Sequence, residues 1–302
     1  MRDHVSALLL AGSLTIGGGT QALAQERTSG FVHGGALGDL ASSQSVNPGR
    51  VHVLGNLGLG NGDFFRGAFD DVPADRLAIG PDLAVAFELV EDGPGFAEQL
   101  VLTVGSQNNL ADQVQPVDDT DLESWYESNT FLALTADLGG GLTTGLTYTV
   151  YASPNDVSGT AHELALAAKA EIDGLPIGLT PQVKLALPLE SGDDGVFVQL
   201  QVAPSLTTIG TERYPITLST PLTLGVGFDD YYGPGTGTTG YASFGLAASV
   251  PLAFMPADLG SWSLSGGVGF LLRDQAIADG GEPFDDEGSL VPRASVRVGF
   301  AY

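Results

Sequence analysis

The sequence predicts an all-β fold: a transmembrane antiparallel β-barrel of about twelve strands, with its N and C termini on the periplasmic side. Three observations support this prediction. Apolar residues alternate with small or polar ones after residue 50, in segments close to the roughly 9 to 11 residues that a tilted strand needs to cross a bilayer. Acidic residues concentrate in every second connection, and the last strand ends on the aromatic residue Tyr302.

The composition excludes several classes of function. The chain has 302 residues, 36 acidic and 11 basic ones, and a formal net charge of −25. It therefore has no basic surface with which to bind nucleic acid. It contains no cysteine, which excludes disulfides, thiolate catalysis and thiolate metal sites. The hydrophobic fraction of 43% and the charged fraction of 16% indicate a folded chain rather than a disordered one. No cofactor is predicted.

The first 24 residues are typical of a secretory signal peptide. Met1 and Arg2 precede an uncharged stretch, and Ala22-Leu23-Ala24 forms a small-x-small cleavage site. Three consecutive glycines at 17–19 interrupt the apolar run, which is then too short for the roughly 20 residues of a membrane-spanning helix. Residues 25–50 are predicted to be a flexible periplasmic tail, and residues 51–302 form the barrel.

The alternation defines the strands. In the segment after Gly141, leucine, tyrosine and valine occupy one face, whereas threonine and glycine occupy the other. Twelve such segments are predicted: 50–60, 79–91, 98–107, 126–138, 142–152, 161–172, 177–188, 195–206, 214–228, 239–252, 260–273 and 290–302. An even number is expected when both termini lie on one side of the membrane. Proline at 181, 204, 221 and 251 removes a ladder donor, so each of these positions requires a bulge or a place near the rim.

The second face of these strands distinguishes a membrane barrel from a soluble sandwich. A sandwich places long polar side chains on its solvent face. Here the second face is mostly Gly, Ala, Ser and Thr, which fit the crowded interior of a modest barrel whose apolar face meets lipid.

The long acidic connections are predicted to form the outer rim. Their carboxylates could bind divalent ions loosely and bridge to lipopolysaccharide, or could simply keep the rim solvated. The spacing matches no EF-hand loop, so no specific metal site is predicted. The densest acidic positions are Asp118, Asp119, Asp121, Glu123, Asp285, Asp286 and Glu287.

The end of the chain resembles a known signature. Val296, Val298, Phe300 and Tyr302 alternate with small or basic residues. This ending resembles the C-terminal sorting signature of bacterial outer-membrane barrels, which implies an outer-membrane location in a Gram-negative bacterium and recognition by the barrel-assembly machinery. A barrel must also close its edges in hydrocarbon, so the last strand is expected to pair with the first.

A second resemblance lies after the first strand. Gly62-Asp63-Phe64-Phe65-Arg66-Gly67 is similar to an element near the start of the TorF-like group of predicted bacterial porins. Trp125-Tyr126-Glu127, the segment 148–155 and Gly260-Ser261-Trp262-Ser263 resemble recurrent pieces of proteobacterial barrels of this size. The resemblance implies a barrel fold and carries neither a substrate nor catalytic residues.

Six charged side chains are predicted to face the lumen. They could form a constriction that filters small solutes, or a salt-bridged plug that conducts nothing. The predicted function is therefore a porin-like channel for passive diffusion of small solutes, weakly favouring cations because of the acidic rim. The alternative is a non-conducting structural or surface-binding barrel. The six lumen candidates are Glu88, Glu163, Lys169, Glu171, Lys184 and Arg297.

An outer-membrane lipid hydrolase is the third hypothesis. Such an enzyme needs a histidine base beside an orienting carboxylate. His162 beside Glu163 is the one candidate pair, but neighbours on a strand point to opposite faces of the sheet. No catalytic residue is therefore predicted.

Overall fold

The computed structural model describes residues 43–44, 46–69, 77–91, 95–111, 125–154, 159–172, 179–189, 195–280 and 288–302. Antiparallel strands dominate these residues, and a short helix, α1 (Gln275–Gly280), follows the penultimate strand. The strands are β1 (Val51–Asn61), β2 (Phe64–Phe65), β3 (Ala68–Phe69), β4 (Leu77–Glu91), β5 (Gln99–Ala111), β6 (Trp125–Asp137), β7 (Leu142–Ala152), β8 (Ala161–Ala170), β9 (Gln182–Pro188), β10 (Val196–Val202), β11 (Ser205–Thr211), β12 (Tyr214–Ser219), β13 (Leu222–Phe228), β14 (Thr239–Pro251), β15 (Ser261–Arg273) and β16 (Leu290–Ala301).

Twelve of the described strands close into a barrel. Each pairs antiparallel with its neighbour in the order β1, β4, β5, β6, β7, β8, β9, β10, β13, β14, β15, β16. β16 pairs with β1 as well as with β15, with Leu54 opposite Ala301. The backbone N–H of Tyr302 also donates to Val53 O at 2.9 Å. These pairings confirm the predicted antiparallel barrel of twelve strands and its closure by the last strand.

The two faces of each barrel strand differ as the alternation predicts. In β7, Leu146 is 44% exposed on the outside, whereas the next residue, Thr147, is 1% exposed on the inside. Leu132 and Leu166, on the strands that flank β7, are also exposed outward. The outer surface is thus a band of aliphatic side chains, as a barrel wall in hydrocarbon requires.

The barrel has two distinguishable ends. Short connections mark one of them, including the turn Gly139–Gly141 between β6 and β7, in which all three glycines have φ between 62° and 78°. Glycine adopts this left-handed conformation without a Cβ clash. We call this the turn end, and the opposite end, where the chain leaves β1, the loop end. α1 lies at the loop end, where it contacts β3 and β14.

Proline sets strand boundaries that the alternation misses. Pro204 separates β10 from β11, and Pro221 separates β12 from β13, so the single strands predicted at 195–206 and 214–228 are wrong. The predicted strand 177–188 begins only at Gln182, after Pro181, and the strand predicted to end at residue 172 ends at Ala170. Proline lacks the N–H that the ladder needs, and Pro181, Pro204 and Pro221 consequently lie between strands, whereas Pro251 is the last residue of β14.

The two interrupted strands create an extension of the wall. β11 and β12 form a hairpin at the turn end, and β12 joins the sheet through Thr217–Ser219 opposite Ala247–Ser249 of β14. Within the described sheet, the other edge of β11 has no paired strand. Among the described residues, no helix is both long and apolar enough to span a bilayer.

Candidate functional site

The inward face of the barrel is polar. The period-two pattern directs amides and hydroxyls from most barrel strands towards the interior, where they are buried. Many of these buried groups have an atom with no hydrogen-bond partner among the described residues: Thr103, Gln107, Asn129, Thr135, Thr147, Ser219, Thr223 and Thr239. An unpaired buried polar group costs about 1–3 kcal/mol in a dry environment. An interior of this composition is suited to contact with water.

The six charged side chains predicted for the lumen fall into two groups. Glu88 and Glu163 are buried on the inward face, as is Lys184, which is 2% exposed. Arg297 also points inward, opposite Gly58 in the register of β16 with β1. The remaining two, Lys169 and Glu171, lie at the turn end of β8. Nζ of Lys169 is 3.1 Å from Oε1 of the exposed Glu171 carboxylate.

Further charges line the interior. Asp82 of β4 interacts electrostatically with Arg297. Glu127 of β6 accepts a hydrogen bond from Asn109 at 2.6 Å. Arg273 is buried near the loop end. Asp82 and Glu127 both occupy positions whose side chains point inward in the alternation of their strands. The alternation that identified Glu88 could therefore also have identified them. Acidic and basic side chains lie close together inside the barrel, so neither negative nor positive charge dominates there.

A loop folds back into the barrel at the loop end. We call residues 62–69 the plug loop; it includes the small hairpin of β2 and β3, in which Phe64 lies opposite Phe69. At its tip, the guanidinium of Arg66 is fully buried, and its Nη2 atom lies 2.6 Å from Oε2 of Glu163. Arg66 Cζ also lies 4.6 Å from the ring centre of Phe65 and 4.5 Å from that of Phe197. The plug loop thus inserts a cation into the lumen.

Wall residues also hold the backbone of the plug loop. The hydroxyl of Tyr232 donates to Arg66 O at 2.9 Å, and Nη1 of Arg273 donates to Gly67 O at 3.4 Å. The hydroxyl of Tyr126 donates to the carboxylate of Asp63. The plug loop contains the whole segment 62–67 that resembles the TorF-like element, so this segment enters the lumen. Its sequence gave no sign of insertion, because the partners are more than 60 residues away.

Aromatic rings fill the lumen around the plug loop. Phe197 stacks on Tyr241 at 6.4 Å between ring centres and lies 5.4 Å from Tyr231. Gly225 faces the same space, and a Cβ at this position would overlap the Tyr241 ring and lie 3.0 Å from Phe197 Cζ. Glycine at 225 is therefore what allows these rings to occupy the lumen.

Substitution of Gly225 by alanine should destabilise the barrel by about 1–3 kcal/mol, because the added methyl overpacks the aromatic cluster. Gly58→Ala is the matched control: it also lies in a barrel strand facing inward, but the nearest atom to its new Cβ would be 3.6 Å away. Urea unfolding in lipid vesicles measures both. Equal losses in the two variants would contradict the packing of the cluster around Gly225.

A second group of side chains occupies the turn end. Ser43 Oγ lies 2.6 Å from Nδ1 of His52, and Nε2 of the same ring lies 3.1 Å from Glu88 Oε1. The amide of Gln44 donates to Glu88 as well. Ser43 and His52 are fully buried. These contacts fasten the end of the segment predicted as a flexible tail against β1 and β4.

The connectivity of this group is that of a serine hydrolase triad, with serine, imidazole and carboxylate in sequence. Catalysis additionally needs a path by which a substrate carbonyl reaches the serine oxygen and donors that stabilise the oxyanion. Ser43 has no exposed surface. The contacts of the group hold residues 43–44 against β1 and β4.

His162, the histidine considered for a hydrolase, lies on the outer surface. Its Nδ1 atom is 2.7 Å from the hydroxyl of Tyr148, and the two rings stack at 5.9 Å. Glu163 points inward, so these neighbours occupy opposite faces. In the described part of the chain, no cluster of three His, Asp or Glu side chains could hold a metal ion. The acidic positions named for loose divalent binding, 118–123 and 285–287, lie outside the described residues.

Comparison with known proteins finds no matching protein family and no matching curated protein. Solved structures do resemble this chain. An outer membrane channel from Pseudomonas putida F1 is 12% identical, with 83% of this chain and 94% of that chain covered and a TM-score of 0.45. Outer membrane phospholipase A from Escherichia coli is 15% identical, with 83% and 89% covered and a TM-score of 0.41. OprB from Pseudomonas putida is 8% identical, with 87% and 97% covered and a TM-score of 0.35. Similarity at this level carries no information about substrate or activity.

Proposed function

We propose that this protein is a porin-like channel of the bacterial outer membrane through which small solutes diffuse passively. One observation carries the proposal: a closed wall with aliphatic side chains outside and unpaired polar side chains inside. If the interior were dry, eight unpaired polar groups would together cost about 8–24 kcal/mol, which is comparable with or greater than the ~5–15 kcal/mol by which proteins are usually stable. In the described structure other side chains cover these atoms, and opening of the lumen would expose them to water and remove this cost. A hydrated interior of this kind is the starting condition for a channel.

We propose that the plug loop and the group around Ser43 narrow the lumen at its two ends and that this conformation is closed or weakly conducting. A non-conducting structural barrel remains the alternative function. The two functions differ in how the interior is used. A permanent plug has no need for unpaired amides and hydroxyls between its two seals, whereas a solute pathway does.

Planar-bilayer recording of the refolded protein tests the proposal. Discrete ohmic current steps are expected, with occasional closures as the plug loop exchanges between positions. Deletion of residues 64–68 should raise the unit conductance several-fold. The absence of steps from both proteins, after correct insertion has been verified by heat-modifiable gel mobility, would support the structural barrel instead.

We further propose a weak preference for cations. The formal charge of −25 and the acidic outer connections would concentrate cations near the mouth. The mixed charges inside the barrel keep this preference small. Lys184 opposes it, because it is a buried lumen base beside Gln199 of β10 and near Glu163.

Replacement of Lys184 by alanine should therefore raise the cation-to-anion permeability ratio at least about twofold, since a lumen charge acts at close range. Lys169→Ala is the matched control, because it removes the same charge from the turn end, where Glu171 already neutralises it. Reversal potentials in a potassium chloride gradient measure both. Equal shifts in the two variants would contradict a lumen role for Lys184.

The outer-membrane location and assembly of the chain belong to the same proposal. Residues 1–24 would direct export, and the C-terminal pattern of Val296, Val298, Phe300 and Tyr302 would be recognised by the barrel-assembly machinery. In the barrel, Phe300 packs against Trp262 at 5.0 Å between ring centres. Lipopolysaccharide is the proposed partner of the acidic rim.

A further inference from the structure

The side chain of Arg66 occupies a site formed by a carboxylate and aromatic rings. Its Nη2 atom lies 2.7 Å from Oε1 and 2.6 Å from Oε2 of Glu163, so one nitrogen contacts both carboxylate oxygens. Its Cζ atom lies within cation–π range of Phe197, at 4.5 Å, and of Tyr231, at 5.3 Å. A carboxylate together with aromatic faces is a recurring arrangement for binding organic cations.

The groups that form this site lie outside the plug loop, in two strands of the wall and in the turn that follows β13. Glu163 lies in β8, Phe197 in β10, and Tyr231 in the turn that follows β13. The hydroxyl of Tyr151 in β7 donates to Glu163 Oε1 at 3.3 Å and orients the carboxylate. We call Glu163, Phe197 and Tyr231 the cation cage. The plug loop contributes the bound cation and the adjacent ring of Phe65.

The chemistry of the cage favours a flat cation. A guanidinium group is planar and weakly hydrated, so it can stack on rings while its N–H groups bind a carboxylate. A compact ammonium binds such a site less well because it remains strongly hydrated. Lys184 lies close enough to interact with Glu163 electrostatically, whereas the stacked position is held by Arg66.

Arg66 adopts a backbone conformation that costs energy. Its φ is 52°, in the left-handed region that non-glycine residues rarely occupy. The contacts in the cage must offset this strain. A free solute with the same head group would make those contacts without a strained backbone. When Arg66 leaves the cage, the backbone of the plug loop can relax to an unstrained conformation.

We propose that the cation cage is a binding site for guanidinium-bearing small solutes, with Arg66 as a built-in stand-in ligand that closes the lumen until such a solute displaces it. This inference rests on the proposed channel and names the class of solute for it. Because Arg66 is tethered beside the cage, its effective concentration there is in the millimolar range or higher. A free solute therefore competes poorly in the wild type and binds freely once Arg66 is removed.

Calorimetric titration of the refolded protein with methylguanidinium chloride tests the site. Arg66→Ala should bind the probe with one-to-one stoichiometry at least tenfold more tightly than the wild type. The double variant Arg66→Ala/Glu163→Gln should lose at least tenfold of that affinity. Methylammonium chloride, a smaller cation without the planar head, should bind at least threefold more weakly to Arg66→Ala.

Two further variants keep the result interpretable. Arg66→Gln retains a donor for Glu163 and takes the place of the alanine variant if the latter does not fold. Arg293→Ala removes another arginine that contacts the plug loop, over Phe64 at 4.4 Å, and leaves the cage occupied by Arg66, so its affinity should equal that of the wild type. Affinity that is unchanged by Glu163→Gln in the variant lacking Arg66, or absent from the folded variant, overturns the inference.

Current recordings separate failure of the inference from failure of the channel. Saturable methylguanidinium binding in a protein that never conducts would support the binding site and contradict the proposed channel. Conductance in a protein whose Arg66→Ala variant binds no probe would support the channel and contradict the proposed binding site. If both proposals hold, millimolar methylguanidinium should alter the current of Arg66→Ala at least tenfold more strongly than that of Arg66→Ala/Glu163→Gln.

Discussion

Replacement of Leu132 by arginine is expected to destabilise the barrel by about 2–4 kcal/mol, because it places a charge on the outer surface near the middle of β6, where the wall meets hydrocarbon. Leu132 is 46% exposed, so the change disturbs little internal packing. Urea unfolding in phospholipid vesicles, followed by tryptophan fluorescence, measures the loss.

Leu142→Arg is the matched control for depth. Leu142 faces outward with 40% exposure but lies at the turn end of β7, next to Gly141. An arginine there can reach the headgroups, and the expected loss is about 0–1 kcal/mol. Small and equal losses at both positions would mean that the aliphatic band faces water, which would contradict a membrane-spanning barrel.

Removal of Arg66 should destabilise the barrel at least as much. Arg66→Ala leaves the carboxylate of Glu163 buried in the lumen without its main partner, and breaking a buried ion pair in this way costs about 3–5 kcal/mol. The double variant Arg66→Ala/Glu163→Gln removes both charges and should recover at least ~1 kcal/mol of that loss. Urea unfolding of the four proteins of the cycle gives the coupling energy.

The same cycle has a functional readout. Arg66→Ala should also raise the unit conductance, because it detaches the tip of the plug loop from the cage. A coupling energy near zero, with unfolding midpoints that shift independently for the two substitutions, would show that Arg66 and Glu163 do not form a pair in the membrane.

The architecture of the barrel could be predicted from the sequence because it follows from a local, repeated pattern. Alternation needs only neighbouring residues, and a period of two directs Leu146 outward and Thr147 inward whatever the rest of the chain does. The closing pair of β1 and β16 was predictable for a different reason, since an open edge cannot exist in hydrocarbon. The number of strands followed from these two rules.

The breaks in the wall were predictable in kind but not in position. Pro204 and Pro221 stand in stretches that otherwise alternate, and proline requires a local departure from the ladder. Whether a proline produces a bulge, a position near the rim or a new hairpin depends on the facing strand. Here the two prolines lie at the same level on paired strands, and the wall extends beyond them as the hairpin of β11 and β12.

The contents of the lumen could not be predicted from the sequence. Charge and alternation placed Glu163 and Lys184 on the inward face, but they carry no information about which distant segment meets them. The contact between Arg66 and Glu163 spans 97 positions, and that between Tyr232 and Arg66 spans 166. The group of Ser43, His52 and Glu88 was missed because the serine precedes the first strand, in a segment without periodicity.

The central claim is that adjacent residues of one strand meet lipid and water respectively, and labelling of β7 tests it most directly. Because the chain has no cysteine, Leu146→Cys and Thr147→Cys each introduce a unique thiol. Thr147 is 1% exposed in the closed structure. After refolding into vesicles, the thiol at 147 should therefore react with a small charged methanethiosulfonate reagent in the aqueous phase once residues 64–68 are also deleted to open the lumen. A fluorophore attached at 146 should instead be quenched by lipids that carry nitroxide groups on their acyl chains. Reaction of both thiols with the aqueous reagent, without lipid quenching at 146, would contradict the account.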